Sequence, residues 1–338
     1  MVRMRALTLL RLLRAGDMRA RLGAVRDGQA AVRVSAVGAG LRTGVLEALQ
    51  QRTATTEELA AAGGWSDHDT LDGLLHVLAQ LGLVRAGVHR WELSPRGRAL
   101  LGDDVARATY EGFSDYHTGL YDGIEQQLIG GAGRRDVRDK GDVIARLSRA
   151  MDPFVLDLLT KEVGRRTPRR ILDVGCGTGS HLVHMLRVSP GSTGVGIETD
   201  VAAARMARDT VAAAGLADRV RVVEGDARIV LAAETDQLDL TLLANVIYYL
   251  PLAERVPLLR AVTERTAPGG AVVVVSTALT DVMFSRHFDL LLRTQEGSMG
   301  LPDMDQLADQ LREAGLAPGR PRRIAPGEPL TAVVAARV

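Results

Sequence analysis

The stretch Ile171-Leu172-Asp173-Val174-Gly175-Cys176-Gly177-Thr178-Gly179 constrains this chain more than any other. A short apolar run leads into three glycines, and a helical pattern follows. Glycines at such a turn allow positive φ and let the backbone come close to a ligand. A helix that opens on the turn aims its first N–H groups at that ligand. The dinucleotide fingerprint G-x-G-x-x-G begins in the same way. Here the third glycine comes one residue early, and an acidic residue, Asp173, precedes the first glycine by two. That spacing points away from a pyrophosphate seated on the helix terminus.

The surroundings of this turn repeat one pattern. Residues 170–174, 193–197, 220–223, 238–243 and 271–275 are short apolar runs separated by helical stretches. Strands that alternate with helices form a parallel sheet covered on both faces. Ala267-Pro268-Gly269-Gly270 reads as a turn before the fifth run, and two more strand candidates lie at 322–324 and 330–336. The expected fold class is α/β, a doubly wound, mostly parallel Rossmann-like sheet of seven strands.

Polar residues fall where those strands end. Glu198 closes the second strand about 20 residues after the glycine turn, where a carboxylate can accept from two ribose hydroxyls. Glu224-Gly225-Asp226-Ala227 follows the third strand, and Asn245 ends the fourth. One polar strand end is chance. Four in order, counting Asp173, describe a nucleoside-containing ligand that carries a positive centre, and S-adenosylmethionine fits that description.

The N-terminal third reads differently. A helical pattern covers 31–51, and Thr55 with Glu58 forms a capping box for a helix that stops at Gly63-Gly64. Leu71, Leu74, Leu75, Leu78 and Leu81 recur at helical spacing, and 88–93 reads as a short strand. Three helices followed by two short strands is a winged-helix order. The helix that would enter a DNA groove, 66–81, carries Asp67, Asp69 and Asp72 and neither Lys nor Arg. Phosphate would repel it, so no nucleic-acid partner is expected. Between this region and the α/β part, Tyr110, Phe113, Tyr116 and Tyr121 gather four of the eleven aromatics beside His117. On a regular helix 110, 113, 117 and 121 share one face, either a core stripe or the wall of a ligand pocket. The expected organisation is a helical dimerisation domain over 1–101, a helical connection that lines the substrate pocket over 102–152, and a ligand-binding domain over 153–338.

These motifs resemble the class I S-adenosylmethionine-dependent methyltransferases, and more closely the two-domain small-molecule O- and C-methyltransferases of secondary metabolism. The resemblance covers roughly residues 35–338. It implies that Gly175, Gly177 and Gly179, with Asp173, line the methionine part of the cofactor. It also implies that Glu198 holds the ribose, Asp226 and Ala227 the adenine, and that Asn245 faces the sulfonium. It implies a homodimer built on the N-terminal domain and a small-molecule methyl acceptor. The chain departs from that pattern at one important place. Where the O-methyltransferases usually carry a His-Asp pair with His as general base, this chain reads Val246-Ile247-Tyr248-Tyr249-Leu250. A tyrosine with its ordinary pKa near 10 is neutral at pH 7 and donates a hydrogen bond. Tyr248 would then orient the acceptor, and His117 and His287 become the candidate bases. Two alternatives follow: a C-methyltransferase acting on an enolisable acid, and a methyltransferase-like protein that binds the cofactor as a regulator or rearrangement catalyst without methylating. Some C-methyltransferases use a His-bound metal; only His287 lies in the downstream region, so no metal site is expected. His68, His76, His89, His181, His184 and Cys176 read as structural or surface residues.

Composition limits the remainder. The net charge is +1, but residues 1–33 hold eight arginines against Asp17 and Asp27, about +6, which leaves the rest near −5. A basic, Leu-rich start of this kind can pack on a partner subunit or lie on a membrane surface. The single cysteine excludes an intrachain disulfide. Without a transmembrane-length apolar run or a signal-peptide pattern, the cytoplasm is the expected compartment.

Overall fold

The computed structural model describes residues 17–337. The arginines at positions 3, 5, 11 and 14, and with them much of the basic segment singled out above, lie outside the described residues. The chain forms two compact units, one ending at Gly119 and the other beginning at Leu120. The division falls inside the aromatic connection.

The first unit is helical with one small ribbon. Helices Met18–Arg42, Val45–Gln51, Thr56–Gly63 and His68–Gln80 precede strands β1 (Val84–Ala86) and β2 (Trp91–Leu93). The strands pair antiparallel, Val84 opposite Leu93. The capping box forms: Thr55 Oγ1 accepts from Glu58 N at 3.2 Å, and Glu58 Oε2 accepts from Thr55 N at 3.1 Å. Gly64, left-handed at φ 70°, closes the helix, and Asp67 caps the next by accepting from Thr70 N at 2.9 Å. Leu46, Leu59, Leu75, Leu78, Trp91 and Leu93 pack together as the core of this unit. The long first helix contributes Val37 and Leu41 near its end, while Leu22, Val25 and Val32 stay exposed.

The aromatic segment does not keep a single helical face. After helix Asp104–Glu111 the chain widens into a π-helical turn, Gly112–His117. One extra residue in a turn shifts the register of everything beyond it. Tyr110 packs on the core of the first unit, Phe113 stacks on His117, and Tyr121 belongs to the second unit.

The second unit is the expected α/β sheet. Strands β3 (Arg170–Val174), β4 (Thr193–Glu198), β5 (Val220–Glu224), β6 (Leu238–Ala244), β7 (Thr266–Thr277), β8 (Leu316–Pro318) and β10 (Leu330–Arg337) lie in the order β5-β4-β3-β6-β7-β10-β8. The short β9 (Arg322–Arg323) pairs with β10. The first five are parallel, and β10 runs antiparallel to both β7 and β8. The sequence signal at 322–324 therefore marks a side ribbon. The strand that completes the order is Leu316–Pro318, too short and too flanked by Gly to read as one. Between Thr266, opposite Leu238, and Ala271, opposite Leu240, the turn at 267–270 survives as a bulge inside β7.

Period-2 alternation sends neighbouring residues to opposite faces. Ile171, Leu240, Leu242 and Val273 meet helices Asp152–Arg166 and Ser180–Val188 on one face. Leu172, Leu243, Val272 and Val274 meet helices Leu252–Arg265 and Met304–Glu313 on the other. With both faces covered, a polar ligand can reach the strands only at their ends. No helix among the described residues is long and apolar enough to cross a membrane.

Leu242 is fully buried on the central strand β6. Leu242→Ala should cost about 2–5 kcal/mol through lost burial and the cavity left behind. Denaturant unfolding should show a lower midpoint at an unchanged slope.

Candidate functional site

The strand order reverses next to β3, which has β4 on one side and β6 on the other. In open α/β sheets the crevice beyond the carboxyl ends at such a switch point is where ligands bind. Residues Asp173, Gly175, Gly177, Gly179, Glu198, Asp226, Ala227 and Asn245 all sit at those ends. The structure brings them to one edge of the sheet.

The glycine turn needs its glycines. Gly175 has φ 66°, and a Cβ there would lie 2.5 Å from Val246 Cγ2. Gly177 has φ 52°, and its Cβ position meets nothing within 4 Å. The turn is tied down by Gly175 N and Cys176 N donating to Ile197 O at 2.7 and 3.1 Å. Glu198 then reaches across: Oε2 accepts from Gly177 N at 2.8 Å, and Oε1 from Asp200 N at 3.0 Å. One carboxylate thus links β4 to the turn at the place where ribose hydroxyls would arrive.

Asp173 is 1% exposed on β3, and its Oδ2 has no hydrogen-bond partner among the described residues. Burial, with the Glu198 charge adding to it and His181 opposing it, pushes the carboxyl up to about 7. A buried carboxylate with an open oxygen is suited to a cationic group. Cys176 in the same turn is buried, and burial with the charges of Asp173 and Glu198 raises its thiol, so it is no thiolate nucleophile.

Asp226 is differently placed from the expectation. It caps helix Ala227–Ala233 by accepting from Arg228 N at 2.8 Å, and the Arg228 guanidinium lies on it, Nη2 to Oδ2 at 2.6 Å. Arg228 also reaches Glu254 Oε2 at 2.9 Å. The hydrogen bond from Arg228 is the main reason the Asp226 carboxyl is held below the usual range. An adenine amino group would therefore have to share Asp226 with Arg228, a residue the sequence reading missed. Ala227 is buried beside it. Asn245 takes the left-handed φ of 59°, uncommon for a residue with a side chain, and its N donates to Val275 O at 2.8 Å. Strain of that kind collects at functional sites.

Beyond Asn245 comes an aromatic patch. Tyr248, 4% exposed on the turn Ile247–Tyr249, packs with Leu292 and Leu301. Its ring meets Tyr249 at 4.5 Å and Phe288 at 5.3 Å, both edge-on. Burial pushes the Tyr249 phenol up to about 12, against a hydrogen bond with Tyr248. His287 stands on the same helix as Phe288, Met283–Arg293. Its Nδ1 lies 2.8 Å from the Tyr121 hydroxyl, with the two rings stacked 5.5 Å apart. Burial lowers the His287 imidazole, so it is neutral at pH 7. His117 is buried in the first unit, stacked on Phe113 at 4.5 Å. Tyr248 and His287 are thus joined through Phe288 and Phe284 in the second unit, and His117 belongs to the first. Sequence spacing gave no sign of the Tyr121–His287 pair, because 166 residues separate its members.

Two other features stay outside this edge. Among the described residues no group of three or more His, Cys, Asp or Glu could hold a metal ion. A cavity of about 290 Å³ lies at the opposite, amino ends of the strands, lined by Arg170, Thr193, Val220 and Leu238.

Residues 171–270 match a family model described as a methyltransferase domain. The chain is 34% identical over 154 residues to aclacinomycin 10-hydroxylase RdmB of Streptomyces purpurascens, covering 44% of this chain and 40% of that protein. It is 26% identical over 180 residues to indolepyruvate C-methyltransferase of Streptomyces griseus, covering 50% and 49%. The matched segments thus span less than half the length of these curated relatives. Two solved structures share the fold over nearly the whole chain. Mitomycin 7-O-methyltransferase MmcR superposes with a TM-score of 0.75 at 22% identity, covering 96% of this chain and 99% of that one. PigF, solved with SAH, gives 0.75 at 20% identity, covering 93% and 99%. This is a methyltransferase-fold protein. Residues 171–270 match a methyltransferase domain, and the chain shares its fold with these two solved structures.

Gly175→Ala would force a methyl group against Val246 at a φ that side chains avoid. The variant should lose about 1–3 kcal/mol of stability, read as a lower Tm by differential scanning calorimetry.

Proposed function

We propose that this chain binds S-adenosylmethionine at the carboxyl edge of β3, β4, β5 and β6 and transfers its methyl group to a small-molecule acceptor of secondary metabolism. The observation that carries this reading is the pairing of two carboxylates around one glycine turn: Glu198 seated on Gly177 N, and Asp173 with a buried, open oxygen. Bound here, the cofactor supplies a methyl group already activated by its sulfonium. Glu198 accepts from the ribose hydroxyls, Asp226 and Ala227 border the adenine, and Gly175, Gly177 and Gly179 leave room for the methionine chain. Asp173 offers its free oxygen to the ammonium. Asn245 faces the sulfonium. The relative solved with SAH has the same fold, which supports the assignment.

The chain's own contribution to the transfer is alignment, which can supply a large part of a barrier when two reactants are held in line. Tyr248 orients the acceptor. His287, neutral at pH 7, can take a proton at Nε2 when its Nδ1 carries the hydrogen and donates to the Tyr121 hydroxyl oxygen, and His117 is the second candidate base. An acceptor that is already anionic needs neither. C-methylation of an enolisable acid uses the same edge, and one relative is named an indolepyruvate C-methyltransferase. A further reading, binding without methyl transfer, is favoured by two facts. Tyr248 stands where O-methyltransferases carry a basic histidine, and a relative is named a hydroxylase. Incubation with methyl-labelled cofactor and a small-molecule extract separates the two: label in a product supports transfer, and tight binding without label supports the second.

We also propose a cytoplasmic homodimer built on the N-terminal unit, with no nucleic-acid partner. Leu22, Val25 and Val32 form exposed apolar positions on helix Met18–Arg42, which a second copy would cover. The alternative occupant of the basic segment is a membrane surface. Light scattering at micromolar concentration should give twice the monomer mass.

Glu198→Ala should weaken cofactor binding by about 1.5–3 kcal/mol, the worth of hydrogen bonds to a charged acceptor, in isothermal titration calorimetry. Unchanged affinity removes Glu198 from the site. In turnover assays Tyr248→Phe should cost about tenfold, one hydrogen bond. Loss of a true general base at His287 or His117 should cost about 10² to 10⁴. Near-full activity in all three variants would show that the acceptor reacts without side-chain base help.

A further inference from the structure

The open oxygen of Asp173 raises the question of what keeps that carboxylate charged. A fully buried carboxyl next to Glu198 would ordinarily hold its proton, and a protonated acid attracts no cation. The counter-charge comes from His181, for which the sequence favoured a structural role over an approach to the cofactor, held by Asp152, which the sequence did not single out. His181 is the second residue of helix Ser180–Val188, directly after the glycine turn, and its Nε2 lies 2.9 Å from Asp152 Oδ1. Asp152 opens helix Asp152–Arg166, which packs on the His181 helix, and both side chains are largely buried, 16% and 17% exposed. We propose that Asp152 and His181 are positioning residues of the ligand site: Asp152 holds His181 as an imidazolium, and that cation keeps Asp173 ionised to receive the ligand's ammonium. The inference rests on the cofactor assignment above.

The charges around the trio agree with this arrangement. Burial alone would lower the His181 imidazole. The hydrogen bond His181 donates to Asp152 and the charges of Asp173 and Asp152 outweigh burial and raise it, with Arg149 opposing. Arg149 stands on the turn before Asp152, Nε to Oδ2 at 3.7 Å. His184, a turn further along the His181 helix, bonds Thr160 Oγ1 at 2.8 Å and is lowered by burial, so it adds no charge at neutral pH. On the β4 side Glu198 pushes Asp173 towards its protonated form, and in the turn itself the Cys176 thiol stays neutral. His181 is therefore the cation whose charge favours an ionised Asp173, and the row Asp152, His181, Asp173, ligand ammonium alternates in sign.

Two measurements test this. In the ligand-free protein, imidazole NMR should show His181 titrating above an ordinary histidine, with its midpoint lower in Asp152→Asn. An ordinary midpoint that Asp152→Asn leaves in place overturns the inference. Calorimetry with S-adenosylhomocysteine, which carries the same ammonium, should show affinity rising with pH through about 7, where Asp173 loses its proton. His181→Gln removes that cation, so the rise should move to higher pH, and a one-unit shift would weaken binding at pH 7 about fivefold. Asp152→Asn should move the profile in the same direction although it lies behind His181, which loss of packing alone would not do. A profile unchanged in both variants overturns the inference while leaving the ligand assignment intact. Wild-type protein that binds no S-adenosylhomocysteine at any pH, with the NMR titration as expected, overturns the ligand assignment and with it the role given to the trio.

Discussion

Everything chemical in this molecule depends on where β3 stops. The strand is buried on both faces and flanked by parallel neighbours, so its backbone groups are satisfied and its side chains are covered. Only its carboxyl end is open to a ligand, and there the chain must turn sharply into a helix without blocking the approach. Gly175 cannot carry a Cβ because Val246 fills that space, and Gly177 leaves the space in front of it clear. The turn is in turn pinned from β4, through the carbonyl of Ile197 and the carboxylate of Glu198. The binding edge is thus a consequence of sheet topology, and the polar residues on it serve what that edge can admit.

The local part of this was legible in the sequence. Strand ends, the glycine turn and the Thr55–Glu58 box are set by residues a few positions apart, and period-2 and period-3.6 patterns report them directly. Contacts between distant residues were not legible. The Tyr121–His287 hydrogen bond joins residues 166 apart, and Asp152 meets His181 across 29. Strand β8 has three residues and borrows its stability from β10, so it carries no period of its own. The π-helical turn at Gly112–His117 defeats a different assumption, since a stripe counted at 3.6 residues per turn holds only while the helix keeps that pitch. Arg228 escaped for a simpler reason: a surface arginine near an aspartate is usually solvated, and only its second partner, Glu254, shows it to be fixed.

Two of the site's carboxylates are occupied before any ligand arrives. Glu198 is held by Gly177 N and Asp200 N, and Asp226 by Arg228. The two cases differ in what binding must change. The Glu198 bonds come from two backbone N–H groups and, more weakly, the Thr199 hydroxyl, and still leave a lone pair over, since a carboxylate can accept about four bonds. Ribose hydroxyls can join without displacing anything, on a carboxylate whose rotamer is already set. Asp226 faces a charged guanidinium in fork geometry, which takes both oxygens. A neutral amino group competes poorly with that, so under the proposed assignment the adenine end would be recognised more by shape, through the small, buried Ala227, than by charge.

The acceptor's proton poses the last constraint. Tyr248 is buried among Tyr249, Phe288, Leu292 and Leu301, and it shares a hydrogen bond with Tyr249. A phenol in such surroundings can hold an acceptor by a hydrogen bond. His287 is better placed, because burial keeps it neutral and Tyr121 engages one ring nitrogen. If Tyr121 donates to Nδ1, Nε2 carries the hydrogen and His287 can only donate. If Nδ1 donates to the Tyr121 oxygen, Nε2 carries the lone pair of a base. The direction of one hydrogen bond therefore decides between a chain that deprotonates its acceptor and one that only aligns an acceptor already ionised. The second state asks for no group the aromatic patch lacks, which is why alignment, more than proton transfer, matches what this edge of the sheet provides.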